Sequence, residues 1–118
     1  MNYLMNKNYL AGADIAPYRW VKPGAADGAV IQAAAATDAI IGASIEVAPA
    51  NGERGDISHG GIVEIELGGT VTRGAWLTAD AVGRGLATTT TGNQVGGRAL
   101  VAGVAGDIIP VLFAPGQL

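Results

Sequence analysis

The chain has no cysteine, a single histidine and a single phenylalanine. Without cysteine, disulfides, thiolate metal sites and cysteine nucleophiles are excluded together. Charge is also scarce, at 14% of residues against about 25% in an ordinary globular domain. The formal net charge is −3, and Lys7, Arg19, Lys22, Arg54, Arg73, Arg84 and Arg98 are scattered singly. The electrostatic footprint of a nucleic-acid-binding protein is therefore missing. Residues 1–10 carry Asn and Tyr where a secretory signal needs a continuous apolar stretch, so no signal peptide is expected. The longest apolar-rich window, 29–50, is interrupted by Gln32, Asp38 and Glu46, too many polar groups for a simple lipid-spanning helix. A soluble protein is expected.

What is present is small and apolar. Hydrophobic residues make up 49% of the 118, but much of this is alanine and only 5% is aromatic. Each buried side chain then removes little area from water. One domain of this length can form a single core, and a core this thin calls for an oligomeric interface that stabilises the fold by mass action. A homo-oligomer is expected.

Two regions differ in composition. Residues 1–24 hold all three tyrosines (Tyr3, Tyr9, Tyr18) and one of the two tryptophans (Trp20), and Pro17, Pro23 and Gly24 interrupt regular structure there. This segment reads as an extended N-terminal arm. Residues 25–118 read as one β domain, in which short β-favouring runs are divided by Gly, Asp and Asn at the spacing of a sandwich or barrel. Strands are predicted over 29–33, 40–47, 61–67, 75–78, 85–89, 98–104 and 107–113. Within 61–67, Ile62, Glu64 and Glu66 alternate with Val63, Ile65 and Leu67, giving one wet face. Asp80 to Gly83 has the chemistry of a hairpin loop. The alanine run at 33–36 admits one short helix near 32–39. The fold class is all-β, a small β-barrel or β-sandwich with an extended arm and at most one short helix.

Reactive constellations are weak. Asp56, Ser58 and His59 fall within four residues, but a triad draws its members from separate parts of a fold. A solvated loop before the strand at Gly61 is the plainer reading. One histidine without clustered partners is no metal site. Glu64 and Glu66 lie about 7 Å apart on one strand face and read as an exposed face. The glycine pairs match no phosphate-binding loop and fit turns. No catalytic, cofactor or metal residue is assigned.

The arm's aromatics, Tyr3, Tyr9, Tyr18 and Trp20, are the candidate partner-contacting residues, since large rings with a polar tip anchor interfaces. Ordering some 20 residues costs at least ~20 kcal/mol of backbone entropy, whereas four anchors return about 2 kcal/mol each. An arm that orders on a partner must also gain backbone hydrogen bonds, as an added strand would.

The succession E-I-E-L-G-G (64–69), V-T-R-G-A-W-L-T-A-D-A-V-G-R (71–84), V-G-G-R-A-L (95–100) and A-G-D-I-I-P-V-L (105–112) resembles the capsid cement, or head decoration, proteins of tailed phages. The resemblance covers the second half of the chain strongly and the first half weakly, and its motifs are turn chemistry. It implies a non-enzymatic virion protein, made in the host cytoplasm, that binds the outer surface of the major capsid protein shell, often as a homotrimer. It implies no cofactor, nucleic acid or membrane partner. By position, residues 1–24 would reach the capsid. Another virion module, of tail or fibre, is the alternative, and a small ligand-binding barrel is a further one. Pro110 departs from the family pattern and, lacking an N–H, is expected at an edge or a bulge.

Overall fold

A computed structural model describes residues 6–118, and its regular elements are all strands. Strands β1 (Asn6–Ala11), β2 (Trp20–Pro23), β3 (Ala29–Gln32), β4 (Gly42–Ser44) and β5 (Arg54–Ser58) close into a barrel in the order β1-β3-β2-β4-β5. The ring is completed by β5 running antiparallel to β1, with Asn6 opposite Ser58 and Leu10 opposite Arg54. The remaining strands, β6 (Ile62–Glu66), β7 (Trp76–Ala79), β8 (Gly85–Ala87), β9 (Gln94–Ala99) and β10 (Ile108–Gln117), form an open sheet ordered β6-β10-β9-β7-β8.

Side-chain alternation along β2 joins the two halves. Val21 points into the barrel with Ala11, Ile15, Val30 and Ile57. Trp20, one residue earlier, points the other way and is 0% exposed among Val63, Ile65, Leu77, Ile109 and Val111 of the sheet. Its ring lies 6.2 Å from that of Phe113. The strand opposite must leave room for the indole, and β9 does so with glycine: a Cβ on Gly96 would sit 2.6 Å from Trp20 ring carbons. Backbone follows side chain, since Trp20 N–H donates to the Gly83 carbonyl at the tip of the β7–β8 hairpin (2.9 Å). Gln32 Nε2 and Arg19 Nη1 both donate to the neighbouring Val82 carbonyl.

That hairpin tip has the predicted chemistry. Gly83 has φ +77°, and the Asp80 carboxylate accepts from the Val82 and Arg84 N–H groups and from Arg84 Nε. The wet face of β6 is also as predicted, with Val63, Ile65 and Leu67 fully buried.

Elsewhere the structure differs from the sequence reading. Residues 6–24, expected as an arm, supply two of the five barrel strands, because β1 and β2 satisfy their backbone groups on β5, β3 and β4. The expected residues 1–5 of that arm lie outside the described residues. The alanine run forms a turn, not a helix: the Asp38 carboxylate accepts from Ala34 N–H and Asp38 N–H donates to the Ala35 carbonyl. A run so short cannot meet the cost of helix nucleation. The segment expected as a solvated loop before Gly61 is β5, held between β1 and β4. The strand expected at 98–104 runs instead from Gln94 to Ala99, with Gly96 and Gly97 inside it and not at a turn.

Pro110 is at neither an edge nor a bulge. It stands in β10 between β6 and β9, opposite Glu64. Its carbonyl accepts from Leu100 N–H, so its missing donor faces the residue just past the end of β9. A proline is tolerated in this central strand because the ladder on that side stops there.

Two outcomes follow from these contacts. Gly96→Ala should destabilise the fold by about 1–3 kcal/mol through forced repacking of Trp20, measured as a lowered urea midpoint; an unchanged midpoint would show that the indole can yield. Asp38 has its pKa lowered, first by the hydrogen bond from Lys22 Nζ (2.9 Å) and then by backbone donors, with burial opposing. A lowered folded pKa gives stability that is present above the unfolded value of 3.8 and fades as pH falls through the folded value. Asp38→Asn should therefore lower the melting temperature at pH 7 by more than it does at pH 2.

Candidate functional site

His59 follows β5 directly. Its Nδ1 lies 2.6 Å from the Ile41 carbonyl, its Nε2 is buried without a protein partner, and the Tyr9 ring meets it edge-on at 5.3 Å. Ser58 Oγ is likewise buried and unpartnered, whereas Asp56 is exposed on β5. No hydrogen bond joins the three side chains, and among the described residues no cluster of three His, Asp or Glu could hold a metal. Glu66 is ion-paired with Arg19 at 3.3 Å. Glu64 stands near Tyr18, whose phenol pKa is raised by partial desolvation and by the Glu64 and Glu46 carboxylates.

The aromatic residues expected to meet a partner have unequal surroundings. Tyr3 lies outside the described residues. Tyr9 is half-buried against the barrel core, with Lys7 Nζ 5.6 Å from its ring. Tyr18 is half-buried in a left-handed conformation (φ 61°), at a corner where its carbonyl accepts from Glu66 N–H. Such a backbone costs of order 1 kcal/mol or more in a non-glycine residue and persists because its surroundings fix it. The corner is fixed by Ser44, whose hydroxyl accepts from Arg19 N–H and donates to the Ala16 carbonyl. Trp20 is completely buried, so it serves the fold and is corrected from the contacting set.

The surface feature that sequence reasoning missed lies on the open sheet. Strand register places Ile62, Leu112, Arg98 and Trp76 in one row across β6, β10, β9 and β7. Directly opposed residues share a face, and this face points away from the core. Arg98 lies over the Trp76 ring at 4.3 Å from its centroid, and Nη1 donates to the Gly74 carbonyl. Beside this stack is an open groove of about 640 Å³, lined by Thr72, Arg73, Trp76, Thr88, Thr89 and Arg98 among others. A second hollow shares Thr72 and Arg73 and adds Val101 and Ala102. Neither of these hollows is lined by Ser58 or His59. The only trace of the groove in the sequence is Trp76 outside the aromatic-rich segment, since its partner Arg98 is 22 residues away and meets it through register alone.

Neither a protein-family model nor a curated protein matches the chain. Among solved structures, the crystal structure of the head fiber gp8.5 N base in bacteriophage phi29 is similar over 97% of this chain and 97% of that one, with a TM-score of 0.76 and 15% sequence identity. At that identity the likeness is one of fold. It spans the barrel and the open sheet together, so the two halves occur as one unit in both proteins.

The stack of Arg98 on Trp76 gives a direct optical test. Arg98→Ala should change stability by no more than about 1 kcal/mol, the size of an exposed cation–π contact, yet raise the acrylamide quenching of tryptophan fluorescence. Trp20, being fully buried, contributes little to that change. Unaltered quenching would mean that the guanidinium does not cover the ring.

Proposed function

We propose that this chain is a structural, non-catalytic protein of a phage head that seats on the outer face of the major capsid protein shell and reinforces it as a cement protein. The observation that carries this reading is the full-length fold likeness to the N base of a phage head fiber protein, in a chain whose 64–112 motifs resemble head decoration proteins. The chemistry agrees. The motif residues build strands and the turns between them, no hydrogen bond joins the Asp56, Ser58 and His59 side chains, and the acidic balance suits the exterior of a shell better than its DNA-filled lumen. In this reading the chain works by contact surfaces alone, as a homotrimer, with no cofactor, nucleic acid or membrane. The fold likeness favours a second reading as strongly: a base on the head surface that carries a fibre.

Native particles imaged by cryo-electron microscopy should show density of this fold on the head exterior, and purified protein should bind emptied, expanded heads saturably and raise their temperature of disruption. Density ending at the globule marks a cement protein, and density continuing outward marks a fibre base. Location at the tail, or no affinity for heads, would overturn the proposal.

A further inference from the structure

The open sheet's outward face is unusually apolar for a surface. Ile62, Leu100, Val101, Val104, Ile108 and Leu112 all lie on it or on the loop at its end, and they are six of the nine exposed large aliphatic side chains among the described residues. Contiguous apolar patches beyond a few hundred Å² are uncommon on monomers and mark interaction sites.

The charges around this patch are complementary to one another. Among the described arginines, Arg19 and Arg84 are ion-paired with Glu66 and Asp80, and Arg54 donates to Asn8. Arg73 and Arg98 have no acidic partner, and both line the same groove beside Trp76. At the opposite margin of the same face, on the edge strand β6, Glu64 has no ion pair among the described residues. It lies opposite Pro110, whose carbonyl in turn bonds Leu100, so aliphatic side chains fill the space between the lone acid and the two arginines. Arginine, tryptophan and aliphatic residues together are the usual chemistry of a protein interface.

We propose that this face binds a second copy of the chain head to tail: the Glu64 margin of one copy enters the Arg73–Arg98 groove of the next, and the aliphatic side chains that border each are buried at the contact. A second copy is the occupant because the chain itself carries both halves of the match, an acid at one margin and two uncompensated arginines at the other. Burial of this patch also supplements a core that is poor in large side chains. The inference deepens the head-surface reading by naming the self-association surface, and it rests on that reading only for its biological setting.

The test is the mass of the full chain in solution, by size exclusion with light scattering, with circular dichroism confirming the fold of each variant. Wild-type protein should run as two or three copies, with three expected. Arg73→Glu combined with Arg98→Glu should shift the mass towards one copy, as should Glu64→Arg alone. Combining all three substitutions should restore the assembly. Leu112→Glu, an exposed position at the middle of the face, should dissociate it independently of charge pairing. A monomeric wild type, or an assembly unchanged by both the paired arginine exchange and Leu112→Glu, overturns the proposal. So does a folded triple exchange that stays monomeric. Head binding is measured separately: a wild-type oligomer that ignores heads defeats the head-surface reading and leaves the interface standing, while head binding by a monomer does the reverse.

Discussion

The fold depends on the opposed placement of Trp20 and Val21. One short strand faces two interiors, and each would be incomplete without it. The tryptophan is given to the sheet, and the sheet accommodates it by having glycine where the ring approaches. The hairpin carrying Asp80 and Gly83 then reaches back to bond the Trp20 backbone, so the same residue is held from side chain and main chain. With few aromatic residues available, sharing one wall between two cores obtains burial that two separate small cores could not.

Internal pairing shapes the exterior in the same way. Six of the few charges are paired within the chain, Arg19 with Glu66, Lys22 with Asp38 and Arg84 with Asp80. These pairs fasten loops to strands and leave little repulsive charge on the surface. A surface of this kind favours contact with other proteins over solvation. The residues left without opposite charge then carry more weight than they would on a highly charged protein.

Much of the sheet was readable from the amino acids. The alternation in Ile62 to Glu66 and the turn chemistry of Asp80 to Gly83 are local signals, and local signals survive folding. What was not readable depends on distant partners. The 6–24 segment looks irregular because Pro17 and Pro23 interrupt it, yet strands form on either side of the break once β5 and β3 offer hydrogen bonds. Gly96 and Gly97 have turn composition, but inside β9 the first makes room for a ring 76 residues earlier in the chain and the second lies against the backbone of Leu112. The aromatic residues were read as a group, while their burial depends on which way each points from its strand: Trp20 inward to the sheet, Tyr18 on a strained corner. The groove was invisible for the same reason, because Arg98 and Trp76 become neighbours only through strand pairing.

Pro110 has a wider effect than its own position. A residue with an N–H there would offer β9 one more rung, and each added rung would draw the 100–104 stretch into the ladder and flatten it along β10. With that rung missing, the chain turns aside at Leu100, and Gly103 pairs instead with Val71 on another segment. The chain past the end of β9 thus leaves Val101 and Val104 exposed beside the sheet, a consequence of the absence of a single hydrogen atom.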